Sequence, residues 1–170
     1  MDITELILHD HAEQRRLFAY LDDIDRADTR ALGAVWKRLR ILLEVHAEAE
    51  EELFYPHLLK IGTGAGGKDD VVDEVEDVIK DHNEIRDAIK EVAAETVGSQ
   101  RWWTAVAKAN EANSDHMGEE EREDLTDFRR NAPMQLRHDI AVAFATFEAR
   151  HATGVVARDK DPEQYIEENR

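Results

Sequence analysis

The sequence predicts an all-α protein: an antiparallel up-down four-helix bundle with an additional helix at its C-terminal end. Three observations carry this. Apolar residues recur every three to four positions through four long segments, the period of a helix that buries one face. Glycine, serine and proline punctuate the chain between those segments, as helix breaks require. With only three prolines, 42% hydrophobic and 36% charged residues, the composition suits amphipathic helices and argues against disorder.

Taken in order, residues 2 to about 26 form the first helix, with Ile3, Ile7, His11, Gln14, Phe18 and Leu21 on its inward stripe. The second starts at Asp28 or Thr29, either able to cap it, and carries Leu32, Trp36, Leu39, Leu43, His46, Glu50, Leu53 and His57. Pro56 lacks an amide donor and should kink or end that helix. The run 62–67, Gly-Thr-Gly-Ala-Gly-Gly, is the plainest break in the chain. The third helix begins near Lys68 to Asp70, with Val71, Val75, Val78, His82, Ile85, Ile89 and Val92 as its stripe. The fourth runs from about Gln100 to Arg130, with Trp103, Val106, Ala109, Asn113, His116, Glu120 and Asp127 or Phe128 facing in. A fifth helix over about 134–156 presents Ile140, Phe144, Phe147, His151 and Val155, and a helical turn can follow Asp161-Pro162. Residues 1–132 therefore read as the bundle, an internal repeat of about 1–61 and 69–131. Residues 133–170 read as a helix and polar tail packed on or extending it.

The repeat is visible in rare residues. His46 and Glu50 stand four apart, and His116 and Glu120 repeat that relation, which puts each pair on one helical face. Each pair is preceded by a matching hexapeptide, Asp10-His11-Ala12-Glu13-Gln14-Arg15 and Asp81-His82-Asn83-Glu84-Ile85-Arg86. Short connections make neighbouring helices antiparallel. At roughly 1.5 Å per residue, His11, His46, His82 and His116 then fall within about one turn of one level. Four imidazoles and two carboxylates in the middle of a bundle have no apolar partner that satisfies them. A metal does: imidazole nitrogen and carboxylate oxygen suit iron, manganese, zinc or copper, and two bridging glutamates suit a dinuclear pair. His57 lies about 10 Å along the axis from Glu50, too far to share its metal. His9 and His138 read as surface residues and His151 as core packing. Tyr55 lies off the stripe unless the Pro56 kink turns it inward.

Several classes are excluded or disfavoured. A formal net charge of −17 repels duplex nucleic acid and anionic membranes. The absence of cysteine rules out disulfides, thiolate metal sites and a cysteine nucleophile. No basic segment followed by an apolar one opens the chain, and no apolar run could span a bilayer, so a soluble cytoplasmic protein is expected. Ferritin-like di-iron bundles need two Glu-x-x-His motifs; the chain has one, Glu148-Ala-Arg-His151. The His-Glu-x-x-His of zinc peptidases is absent.

The pattern His…His-x-x-x-Glu…His…His-x-x-x-Glu over residues 3 to about 130 resembles the hemerythrin-like (HHE cation-binding) family, as does Glu50-Glu51-Glu52-Leu53-Phe54-Tyr55-Pro56. The resemblance implies a non-haem di-iron centre with an oxo- or hydroxo-type bridge, for which manganese or zinc could substitute. His11 and His46 would bind one ion, His82 and His116 the other, and Glu50 and Glu120 would bridge. Oxygen-carrying members place a fifth histidine four residues after the third-helix ligand; here that position is Arg86, with Arg15 equivalent in the first helix. Both arginines are expected beside the site, paired with Glu51, Glu121 or a bridging glutamate, and Tyr55 is a further candidate neighbour. Four histidines and two bridges leave coordination open, which favours reaction with hydrogen peroxide, O2 or nitric oxide over reversible oxygen carriage. Some bacterial members of the family are associated with peroxide breakdown or nitric oxide handling, so protection against oxidative or nitrosative stress, with catalase-like activity, is the first expectation. A non-catalytic module that binds or senses O2, nitric oxide or iron is the alternative. The fifth helix suits either covering the bundle end of a monomer or forming a homodimer contact.

Overall fold

The structure is a computed structural model that describes residues 1–64 and 71–170. Among these residues there are eight helices and no strand. The first two, α1 (Ile3–Asp23) and α2 (Thr29–Leu53), are each capped by an aspartate, Asp2 accepting from the Thr4 amide and Asp28 from that of Ala31. Such caps satisfy backbone donors that the first turn leaves free. The expected start of the third long helix near Lys68 to Asp70 lies outside the described residues; from Val71 it runs as α4 (Val71–Ala93). Helix α5 (Gln100–Arg122) starts on a Ser99 cap. The tight link before it turns on Gly98, at φ +80, a conformation that L side chains rarely adopt.

Helices α1, α2, α4 and α5 form a closed ring of neighbours, α1 on α2, α2 on α4, α4 on α5 and α5 back on α1. Two apolar clusters fill it. One contains Trp36, Trp102, Trp103, Leu39 and Ile89. The other contains Phe54, Tyr55, Phe128, Phe144 and Ile79. The buried polar residues His11, Gln14, His46, Glu50, Glu51, His82, Arg86, Asn113, His116 and Glu120 come from the same four helices.

Two of the expected helices are each interrupted once. The second ends at Leu53 and restarts as α3 (Tyr55–Ile61), with Phe54 between them at φ −105, ψ −59. Pro56 sits in the first turn of α3, where its missing amide costs nothing. The fourth is likewise not continuous to Arg130: it breaks at Glu123, φ −105, ψ −73, and restarts as α6 (Asp124–Asn131). No proline marks the second break. The buried Asp127 carboxylate ties α6 to the end of α3, accepting from the amides of Thr63 (2.7 Å) and Gly64 (3.1 Å). A Cβ at Gly62 would sit 2.7 Å from that carboxylate, so glycine is required there for steric reasons.

The fifth helix, α7 (Met134–Arg150), stops six residues short of the expected 156. His151 stands at its end and is not core packing: it caps the helix half-buried, its Nδ1 donating to the Phe147 carbonyl at 2.8 Å. Helix α7 lies against α1 and α2, and Phe144 meets the His46 ring edge-on at 5.8 Å. The tail is more ordered than its polarity suggests. Asp161 caps α8 (Pro162–Asn169), which packs on α4 and buries Tyr165 and Ile166. No helix of the described residues is long and apolar enough to cross a membrane.

Candidate metal centre

Helical spacing delivers the ligand atoms. His46 and Glu50, one turn apart on α2, stand 2.9 Å apart, Nε2 to Oε1. The other Glu50 oxygen lies 3.4 Å from His82 Nε2 on α4. His82 and His116 bring their Nε2 atoms within 3.2 Å. His11 Nε2 approaches Glu120 Oε2 at 3.1 Å. Two groups result whose ligand atoms all lie within 4.8 Å of one another: His11, His46, Glu50 and Glu120, and Glu50, His82 and His116. Glu50 belongs to both. Glu120 belongs to the first, and its second oxygen accepts a 2.7 Å hydrogen bond from the Tyr55 hydroxyl. The break at Phe54 is what turns Tyr55 inward, where it is fully buried.

The inner atoms are arranged for a cation. His11 Nε2, His46 Nε2, both Glu50 oxygens and Glu120 Oε2 are buried and have no hydrogen-bond partner. Buried polar atoms are rarely left so, and several aimed at one space form a nitrogen- and oxygen-donor set that first-row metal ions fit.

Each outer imidazole nitrogen faces a carboxylate, the arrangement that fixes a metal-binding ring and its tautomer. His82 Nδ1 donates to Glu51 at 2.7 Å and His11 Nδ1 to Glu121 at 2.9 Å. His46 Nδ1 donates to Asp10 at 3.1 Å, and His116 Nδ1 lies 3.6 Å from Asp81. The pairing follows the repeat, with the two aspartates serving the histidine of their own half and the two glutamates that of the other. Sequence reasoning passed over Asp10 and Asp81, although both stand in the repeated hexapeptide directly before His11 and His82. Arg86 grips Glu51 through Nη2 at 2.8 and 2.9 Å and reaches Glu48 at 3.1 Å. Arg15 pairs with Glu121 at 2.8 Å but is 48% exposed. His57 is half-buried outside both groups, and His9 and His138 are exposed.

Two more groups were not predicted at the site. Glu148 on α7 forms a third cluster with Asp10 and His46. Lys160, in the tail, pairs with Glu48 at 3.0 Å and with Glu51. The Glu-x-x-His containing Glu148 was visible in the sequence, but its partner was not. Lys160 lies beyond any motif and left no signal.

Without a metal the centre is held by charge pairing. Burial pulls the His46 imidazole down, but the Glu50 and Asp10 carboxylates outweigh it and leave its pKa well above the ordinary value. The same opposition leaves His82 at about 9, with Glu50 and Glu51 as the carboxylates. Burial favours a neutral Glu50, yet His46 and His82 hold it well below the usual range. Burial and the adjacent charges of Glu120 and Glu50 push the Tyr55 phenol well up, so it remains a donor.

Two results follow for the metal-free protein. Glu51, brought to about 2 against burial by His82, Arg86 and Lys160, is depressed from 4.5. Its contribution, about 3 kcal/mol by linkage, is present above pH 4.5 and is lost as pH falls towards 2. Glu148 is raised to about 8 by burial and by Asp10, so its ionisation costs stability as pH rises from 4.5 to 8. Urea unfolding across pH 2–8 should follow both slopes, and Glu148→Gln should flatten the second. Tyr55→Phe strips the donor from a buried Glu120 oxygen and should cost about 1–3 kcal/mol, read as a lower urea midpoint at constant m.

A family model, the Hemerythrin HHE cation binding domain, matches residues 2–127. No curated protein and no solved structure matches the chain. The match spans most of the sequence and includes all four histidines and both glutamates of the inner cluster, and the chain belongs to the hemerythrin HHE cation-binding domain family.

Proposed function

We propose that the chain holds a pair of iron ions and reacts with hydrogen peroxide, O2 or nitric oxide, with peroxide breakdown as its leading activity. The observation that carries this reading is the convergence of four imidazoles and two carboxylates, of which His11 Nε2, His46 Nε2, both Glu50 oxygens and Glu120 Oε2 lack hydrogen-bond partners. In it, His11, His46 and Glu120 would hold one ion and His82 and His116 the other, with Glu50 shared by both; Glu120 as a second bridge would have to release the oxygen that Tyr55 holds. Iron in such a donor set supplies open coordination positions and a change of oxidation state.

The chain's own residues supply the rest. Glu50 faces His46 and His82 with different oxygens, the geometry a bridging carboxylate needs. Asp10, Glu51 and Glu121 hold three of the rings from outside, and Asp81 lies 3.6 Å from the fourth, that of His116. Tyr55 keeps a proton on Oη, directed at Glu120 Oε1, and fixes that carboxylate's second oxygen. Phe144 and Tyr55 limit water on either side of the cluster, each packing against one of its imidazoles.

The test is oxygen evolution from peroxide by iron-loaded protein, two H2O2 giving two H2O and one O2. Turnover above that of free iron is expected. Turnover no faster than free iron would end the catalytic reading. A reversible spectral change on adding O2 or nitric oxide, without turnover, would assign a binding or sensing module in its place.

A further inference from the structure

We infer that Lys160 is a positioning residue for the His82 half of the centre, so that the C-terminal tail makes the two halves of a duplicated site unequal. This rests on the proposed two-ion reading and extends it to residues beyond 127, where the family match ends.

The tail is anchored at the residue concerned. The Lys160 amide donates to the Asn83 side chain at 3.0 Å, and the Asn83 amide group donates back to the Lys160 carbonyl at 2.8 Å. Asn83 follows His82 in the chain. Five residues on, the Tyr165 hydroxyl donates to the Glu51 carbonyl at 2.6 Å. Between these anchors the Lys160 ammonium meets Glu51 and Glu48. Glu51 is the carboxylate that accepts the hydrogen bond from His82 Nδ1–H, and Arg86 grips the same group from α4. Glu51 is thus held by two cations and one imidazole, with its side chain wholly buried.

The other half lacks this arrangement. Glu121 accepts from His11 Nδ1 as Glu51 does from His82. Its cation is Arg15, half in solvent, and Glu121 itself is 28% exposed. Among the described residues no lysine pairs with Glu121. A carboxylate fixed by several donors fixes the ring it accepts from, and loss of such outer partners typically weakens metal binding by about 10–100-fold. The ion on His82 and His116 therefore depends on the tail, and the ion on His11 and His46 does not.

The experiment compares wild type, K160M and K160R. Each protein is loaded anaerobically with ferrous iron, and release to a coloured ferrous chelator is followed. In K160M one equivalent per chain should leave about tenfold faster, with the second unchanged, and K160R should restore the wild-type trace. Unchanged release in K160M overturns the inference. So does equal acceleration of both equivalents, or failure of K160R to rescue, since either makes Lys160 a general support of the fold. Nuclear magnetic resonance of the metal-free proteins supplies a second reading. The His82 Nδ1–H signal should move in K160M and return in K160R while that of His11 stays; a stationary His82 signal overturns the inference. If wild type keeps no iron at all, the two-ion reading fails, and this metal-free comparison still decides the role of Lys160.

Discussion

Glu50→Ala protein, purified and loaded beside wild type, should retain less than one iron per chain where wild type retains two. Glu50 is the one residue common to both ligand groups, with one oxygen 2.9 Å from His46 Nε2 and the other 3.4 Å from His82 Nε2. Removing it takes a charged donor from both ions together, and each affinity should fall by more than the roughly 10–100-fold typical of an outer partner. Glu50→Gln keeps the volume and removes the charge, so it should lose iron while its helical content stays at the wild-type level. One iron per chain remaining tightly bound in the alanine variant would show that Glu50 serves a single ion.

The second large effect is expected at Arg86. Its guanidinium is 3% exposed and spans Glu48, Glu51 and Asn83. Arg86→Met fits the space but leaves two buried carboxylates short of a cation, a change that usually costs about 3–5 kcal/mol. Lys160 and His82 remain on Glu51, which places the loss near the lower figure. For a chain of this length that is roughly a 10 °C fall in Tm, measured calorimetrically on metal-free protein. A fall within about 0.5 kcal/mol, typical of a surface site, would mean that solvent replaces the guanidinium. The position has a further meaning. The family resemblance places a fifth histidine of oxygen carriers there, whereas this side chain turns to Glu48 and Glu51 and supports the ring of His82 indirectly.

The bundle was legible because amphipathic periodicity is a local property of sequence. The stripe of α4, from Val71 to Val92, is buried at every expected position. The inner histidines were legible because a rare residue recurs in register with the repeat. The helix breaks were only half legible. Pro56 marks the first chemically, but Glu123 carries no such mark, and the break there accompanies a long-range tie between Asp127 and the loop at Thr63. Asp10 and Asp81 were in plain view, yet an aspartate beside a histidine has a meaning only once the opposing helix is placed. Lys160 and Tyr165 act across more than a hundred residues, and nothing local to the tail distinguishes them from a solvated polar end. His151 was misread for a related reason: its place on an apolar stripe did not reveal that the helix would stop beneath it.

The central claim, a pair of reactive irons between four histidines and two glutamates, is tested most directly by an optical spectrum of the purified protein taken beside its iron content, before and after peroxide. Two irons per chain, with near-ultraviolet absorption beyond that of the aromatic residues and a change on adding peroxide, is the predicted result. Stoichiometric zinc, or iron at two per chain with a spectrum that peroxide leaves unaltered, would contradict it.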